Sequence, residues 1–314
     1  MVSQVSRVTD KLKILSQLNI REAILLPILS LLDRVSPNSG FLKEMVFRDL
    51  YVKISTLSFV NANGFVSERI GNKNVITLVK RPENNNLKVC LRRRTSDFHV
   101  FRQIFMLEQY KPLVQAINEG NCREIRYIID AGANIGCTAI YFEKCYPGSI
   151  IVCIEPDGCN YKALLGNVEM NNLACYIKPI KAALWSDNSN LEIVRDFGDG
   201  REWARSVKPT NRRDATVVSG ITIADILLKY SLPYIDILKI DIEGAEKHIF
   251  KNEDMVEKFL PFVRYLAMEV HEEAISRDVI RKLLERFNFL HFVTGELLIG
   301  INRDCQERRR NTGG

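Results

Sequence analysis

The chain has 314 residues, of which 46% are apolar, 26% charged and 9% aromatic, a globular composition that excludes wholesale disorder, a collagen-like repeat and a pure coiled coil. Its 44 Lys and Arg against 38 Asp and Glu leave a formal charge of +6. The basic residues fall in short runs (Arg92 to Arg94, Arg212 and Arg213, Arg308 to Arg310) that a solvated face or an acidic small molecule explains without nucleic acid.

From the start of the chain, Leu12, Leu15, Leu18, Ile24, Leu25, Ile28, Leu31 and Leu32 keep helical spacing over residues 10–35. The apolar run Ala23 to Leu32 contains Pro27 and is shorter than the roughly 20 residues that span a bilayer. Asp10, Glu22 and the lack of a small-residue cleavage site argue against a signal peptide. A cytoplasmic protein without stable membrane insertion is therefore expected. Ser36 to Gly40 form a turn cluster, and from Phe41 to Arg93 the texture reads as β-like runs. Val75 to Val79 and Leu87 to Leu91 flank an Asn-rich loop and predict a hairpin. Thr95-Ser96-Asp97 supply a cap for a helix carrying Phe98, Phe101, Ile104 and Phe105. A boundary near Gly120 gives an accessory or cap extension of helices and a β-hairpin over 1–120, a main domain over 121–303 and a polar basic tail over 304–314. The eight cysteines include no Cys-x-x-Cys pair, so buried free thiols in a reducing compartment are expected rather than zinc or disulfides.

Beyond residue 125 short apolar strands alternate with helical stretches, the pattern of a βαβ sheet. Strands are predicted at Tyr127 to Ala131, Ile150 to Ile154, Tyr176 to Ala182, Ile235 to Ile240, Phe262 to Val270, Phe289 to Val293 and Leu297 to Ile301. Only Thr294-Gly295-Glu296 separate the last two, too few for a crossover helix, so those two must pair antiparallel. The expected fold is α/β: a Rossmann-like, mostly parallel seven-stranded sheet with an antiparallel last strand, preceded by the α+β extension.

Asp130-Ala-Gly-Ala-Asn-Ile-Gly136 follows the first of these strands and opens a helix, where glycines permit a tight turn and a close ligand. Glu155 closes the next strand, in position for the two hydroxyls of a ribose. The loop lacks the Gly-x-Gly-x-x-Gly of a nicotinamide enzyme, and its spacing suits S-adenosyl-L-methionine, with Asp130 facing the cofactor's positive charge. Asp130, Gly132, Asn134, Gly136 and Glu155 are thus the candidate cofactor-binding residues. These residues, with Ile154-Glu155-Pro156 and above all Leu238-Lys-Ile-Asp-Ile-Glu-Gly-Ala-Glu246, resemble the FkbM family of methyltransferases over roughly residues 92 to 300. The resemblance implies the class I methyltransferase fold, S-adenosylmethionine dependence and O-methylation of sugars or other secondary metabolites.

Transfer of a methyl group to a hydroxyl needs positioning and profits from a general base. Asp241 and Glu243 follow the fourth strand; Glu269 and His271 end the fifth. In each pair the i,i+2 spacing puts both side chains on one face while the strand persists. These four are the candidate catalytic residues, with His271 or Asp241 as base and Glu243 and Glu269 as orienters or hydrogen-bond acceptors for the substrate. Asp241, Glu269 and His271 also match in type a two-carboxylate, one-imidazole cation site. Composition does not establish that they converge, and no metal is assigned.

Arg195 to Asp214 break the strand–helix rhythm with Gly, Arg and charge around Trp203, which reads either as a substrate-selecting insertion with Arg201 and Arg205 or as a solvated loop. The function expected is an S-adenosylmethionine-dependent O-methyltransferase whose partner is a small hydroxyl-bearing molecule and not nucleic acid; a homo-oligomer is left open. The alternatives are a non-catalytic module that keeps the cofactor fold, or an N-methyltransferase. The second is disfavoured because Asp241-Ile-Glu-Gly stands where base-modifying enzymes carry a proline turn and an aromatic.

Overall fold

The computed structural model describes residues 40–63, 65–68, 75–80, 87–92, 95–120, 124–194, 206–212 and 217–305. The helix expected over 10–35, most of the tail, and Arg201, Trp203 and Arg205 lie outside them. The chain divides into two compact units, Met1–Leu107 and Glu108–Gly314.

In the first unit helix α1 spans Gly40–Ala62, where β-like texture was expected. Its Val, Ile, Thr and aromatic content misled. The burial of Leu50, Lys53, Leu57 and Val60, with Val52 and Thr56 beside them, follows the three- and four-residue steps of a helix face. Three strands follow, β1 (Phe65–Glu68), β2 (Val75–Lys80) and β3 (Lys88–Arg92), in the order β1-β2-β3. β2 and β3 are the expected hairpin, with Val75 opposite Arg92 and Val79 opposite Lys88. Helix α2 (Asp97–Phe101) runs into a π-helical turn at Arg102–Met106. Of the expected cap residues Ser96 makes no capping bond, and Thr95 Oγ1 accepts from Asp97 N–H at 3.3 Å. Asp97 also accepts from the Arg92 backbone N–H at 2.7 Å and pairs with its guanidinium at 2.8 Å, tying the helix start to β3.

The second unit begins with α3 (Lys111–Glu119). It continues β4 (Tyr127–Ala131), α4 (Cys137–Cys145), β5 (Ile150–Ile154), α5 (Gly158–Met170) and β6 (Ile177–Ile180). Next come the short strands β7 (Ala183–Leu184), β8 (Asn190–Val194), β9 (Ser206–Pro209) and β10 (Val217–Ile221), then α6 (Ile223–Lys229) and β11 (Ile235–Ile240). α7 (Glu246–Phe250), α8 (Glu253–Phe259), β12 (Val263–Glu269), α9 (Arg277–Arg286), β13 (Phe289–Thr294) and β14 (Leu297–Asn302) complete it.

The seven strands that the sequence predicts form one sheet, in the order β13-β14-β12-β11-β4-β5-β6. β4, β5, β6, β11 and β12 are parallel, and β14 runs against both β12 and β13. This is the class I methyltransferase topology. The pairing of Thr294 with Leu297 leaves a two-residue turn, with Gly295 at φ 57°. β11 is buried along its whole length, the mark of a central parallel strand covered on both faces. Ile129, Val152, Leu238, Leu266 and Leu298 carry the core from strand to strand.

β7 to β10 make a second, four-stranded sheet in the order β7-β10-β8-β9. Part of the segment expected as an insertion loop is therefore strand β9, paired antiparallel with β8, with Leu191 opposite Pro209. Trp185, Leu191, Val207 and Val218 form the sheet's own small core. The thiols also depart from expectation. Among the described residues the cysteines form no disulfide, but only Cys137 and Cys153 of them are buried, while Cys159 and Cys175 are exposed. Among the described residues no helix is long and apolar enough to cross a membrane.

Candidate active site

The strand order reverses between β4 and β11, and open α/β sheets bind ligands outside the carboxyl ends of their strands at such a point. The glycine turn after β4 is built into that position. Gly132 has φ +77°, and a Cβ on it would lie 1.7 Å from the Asp241 carbonyl oxygen, so only glycine lets the end of β11 pack there. Asp241 N–H in turn donates to Ala131 O at 3.1 Å. Asn134 (φ 51°) and Gly136 (φ 85°) complete the left-handed turn into α4. From α5, the buried Asn167 amide donates to Ile135 O at 2.9 Å.

Glu155 follows β5 and is nearly buried. One carboxylate oxygen accepts from Asn134 N–H at 2.8 Å and the other from Asp157 N–H at 2.8 Å. The carboxylate expected to face a ribose thus first clamps the glycine turn to the start of α5. The second oxygen also receives the Asn160 amide at 3.5 Å, while the oxygen bound to Asn134 keeps a lone pair for a further donor. Burial raises the Glu155 carboxyl to about 7, against the pull of the Asn134 and Asn160 hydrogen bonds and Lys239.

Lys239, on β11, is a functional residue that the sequence reading passed over. It is 2% exposed, and its ammonium donates to Ala131 O at 3.1 Å and Gly132 O at 2.7 Å. The same nitrogen lies 3.1 Å from Asp130 Oδ1 and 3.9 Å from Asp241 Oδ2. Burial alone would lower its pKa, but Asp130, the fully buried Tyr110 and Asp241 outweigh that and raise it. Lys239 is therefore charged, and Asp130 is its counterion, although burial pushes the Asp130 carboxyl upward. The available signal was a lysine inside an apolar strand two residues before Asp241, hence on the same side of the sheet.

The four catalytic candidates do meet, by a different route from the one expected. β11 stops at Ile240 and β12 at Glu269, so neither i,i+2 pair lies within a strand. Glu243 sits instead in a tight turn at φ 54°, followed by Gly244 at 85°, a strained conformation of the kind that accompanies functional sites. His271 Nε2 lies 3.4 Å from Glu243 Oε2, and Nδ1 donates to Glu246 Oε1 at 3.0 Å. Glu246 is fully buried and also accepts from Ile242 N–H at 3.1 Å. Burial would lower the imidazole, but the bonds to Glu243 and Glu246 overcome it and raise it to about 11. Burial, with Asp241 adding to it, brings Glu243 to about 7. Repulsion by Asp241, together with burial and Glu296, brings Glu269 to about 8. A second buried ion pair, Asp236 with Arg264, lies at the opposite edge of the sheet, where Asp236 also accepts from Arg126 and Tyr127 N–H. That pair anchors strands and is remote from the glycine turn.

Comparison with known proteins agrees with this geometry. The model of the methyltransferase FkbM domain matches residues 130–291, just over half of the chain. The methyltransferase sdnD of Sordaria araneosa is 27% identical over 191 residues, which cover 52% of this chain and 73% of that protein. Methyltransferase 1 of Beauveria bassiana is 23% identical over 149 residues, covering 41% of this chain and 58% of that protein. The crystal structure of a methyltransferase FkbM from Methylobacillus flagellatus superposes with a TM-score of 0.39 at 17% identity, over 56% of this chain and 43% of that one. The matched span runs from Asp130 through the glycine turn, Glu155 and the Asp241–His271 group, and the chain belongs to the FkbM methyltransferase family.

Proposed function

We propose that the protein is an S-adenosyl-L-methionine-dependent O-methyltransferase acting on a hydroxyl of a small molecule, a sugar or secondary metabolite, and not on nucleic acid. The observation that carries this reading is the packing of Asp241 on Gly132, which sets a group of proton acceptors directly against the glycine turn. The loop also fits the cofactor chemically. Asp130 Oδ2 and Asn134 Oδ1 are buried there without a hydrogen-bond donor, acceptors suited to the cationic methionine end. Glu155 would take a ribose hydroxyl on the lone pair that its Asn134-bound oxygen retains.

When bound, S-adenosylmethionine supplies a methyl carbon on a positive sulfur, whose bond breaks with its electron pair left on that sulfur. The chain's part is to hold the acceptor oxygen in line and to take its proton. His271 is poorly placed for the second task, because a ring with a carboxylate against each nitrogen serves as a donor on both sides. Glu243 takes the proton in this reading, with His271 positioning it from 3.4 Å.

The test is incubation of the full chain with radiolabelled S-adenosylmethionine and a panel of sugars and polyols. Label in a product stable to mild base, as an ether is and an ester is not, is expected. Label on amines alone would replace the reading with N-methylation. Cofactor binding with no transfer to any acceptor would leave a binding module.

A further inference from the structure

Among the described residues, one set of three His, Cys, Asp or Glu side chains brings a ligand atom from each within 4.8 Å of one another: Asp241, Glu269 and His271. They come from the carboxyl ends of two adjacent strands, and all three are partly exposed. An acceptor can therefore reach them. The set is not merely acidic, since it holds an imidazole whose orientation is fixed from behind. Fully buried Glu246 accepts the Nδ1 hydrogen bond of His271 at 3.0 Å, which puts Nε2 on the opposite side of the ring, 3.4 Å from Glu243 Oε2. A carboxylate behind the remote nitrogen is how proteins orient a metal-ligating histidine. Glu246 Oε2 is itself buried without a donor.

The charge around the set is unbalanced. Two of the set's three members are carboxylates, and a third carboxylate, that of Glu243, lies 3.4 Å from His271 Nε2. Among the described residues the ammonium of Lys239 lies 3.9 Å from Asp241 Oδ2 and is already held by Asp130 and two carbonyl oxygens. The ligand atoms of Asp241, Glu269 and His271 lie close enough together for one ion to bridge them.

We propose that Asp241, Glu269 and His271 bind one divalent cation that orients the acceptor, a molecule with two adjacent hydroxyls. Two carboxylate oxygens and one imidazole nitrogen suit a borderline-hard ion such as Mn²⁺. Three protein ligands leave about half of an octahedral shell open, room for both oxygens of a vicinal diol. The cation makes a bound hydroxyl more acidic, and Glu243, released from the Nε2 proton, stands beside it to accept that proton. This role for the cation rests on the methyltransferase reading above; the binding of the cation does not.

The experiment is titration of the chelator-treated full chain with Mn²⁺, followed by the loss of the free-ion paramagnetic resonance signal, beside calorimetry with S-adenosylhomocysteine. About one Mn²⁺ per chain is expected, and Asp241→Asn and Glu269→Gln should each weaken it about tenfold or more. Glu246→Gln, which changes the group behind the imidazole and keeps an oxygen for Ile242 N–H, should weaken it about 10- to 100-fold. Thermal melting of each variant shows that it is folded, and the wild-type stoichiometry needs no variant. No bound Mn²⁺ in a chain that binds S-adenosylhomocysteine overturns the cation site and leaves the methyltransferase reading standing. Equal binding by wild type and all variants also overturns it, by placing the ion elsewhere. Mn²⁺ bound at this site without S-adenosylhomocysteine supports the site and contradicts the methyltransferase reading.

Discussion

The ammonium of Lys239 lies 3.1 Å from Asp130 and binds the carbonyl oxygens of Ala131 and Gly132, so a charge carried on one strand holds the turn at the end of its neighbour. Both side chains are essentially without solvent contact. Such a pair needs every one of its hydrogen bonds, because two charges removed from water are otherwise costly. The two carbonyls supply the bonds that Asp130 alone does not.

Removing one member should therefore cost more than removing both. Lys239→Met leaves Asp130 buried without its counterion, and a loss of about 3–5 kcal/mol is expected. The double variant Lys239→Met with Asp130→Asn should recover a substantial part of that. Urea denaturation of the three chains measures it, and equal losses in the single and double variants would rule out the pairing.

Gly132 should tolerate no side chain, since its Cβ would meet the Asp241 carbonyl oxygen at 1.7 Å. Gly132→Ala is expected to weaken S-adenosylhomocysteine about tenfold or more, a loss of about 1.4 kcal/mol or greater. Gly136→Ala should do less, because its Cβ would meet only the end of the Leu164 side chain, at 2.5 Å, although its φ of +85° still strains it. Calorimetry on both variants gives the ranking, and the reverse order would contradict it.

Glu155 gives the protein a dependence on pH of unusual sign. Burial raises its folded pKa to about 7 from an unfolded value near 4.5, so the folded chain holds this proton more tightly than the unfolded one. Its contribution is fully present below about pH 4.5 and is lost as the pH rises through 7. Across that window the loss is about 3 kcal/mol. Glu155→Gln should remove this slope, so the stability difference between wild type and variant should change between pH 4.5 and 8. Denaturation curves that stay parallel would show that the carboxylate is ionised throughout.

Glu243→Gln should lower kcat about 10²- to 10⁴-fold, the usual contribution of a general base, while leaving S-adenosylhomocysteine affinity within about threefold. Loss of cofactor binding in a folded variant would instead give Glu243 a role in shaping the turn.

The sheet was legible because each of its strands is a short apolar run with a turn signal on either side, and the two-residue turn at Gly295 forced the antiparallel pair. The glycine turn and Glu155 were legible by position. What the sequence hid was direction: nothing in Ile154-Glu155-Pro156 says that the carboxylate turns back onto Asn134 N–H. The four candidate residues lie at the carboxyl edge of the sheet as expected, yet Glu243 is placed by a left-handed turn rather than by strand alternation. Lys239 was obscured by its apolar neighbours, and Glu246 by its place in a motif read for its first half. Helix α1 was misread because β-branched residues outweighed a burial period that becomes visible only in Leu50, Lys53, Leu57 and Val60. The pairing of β9 with β8 was hidden by the charge around it.

The central claim is that the turn at Gly132, closed by Asp241, binds a methyl-donor cofactor. Calorimetric titration of the full chain with S-adenosylhomocysteine, beside NAD⁺ and with Asp130→Ala as control, tests it most directly. Saturable binding with a Kd in the micromolar range (about −8 kcal/mol), weakened in the control and absent for NAD⁺, is the predicted result. A natively melting chain that binds neither ligand, or binds NAD⁺ in preference, would contradict it.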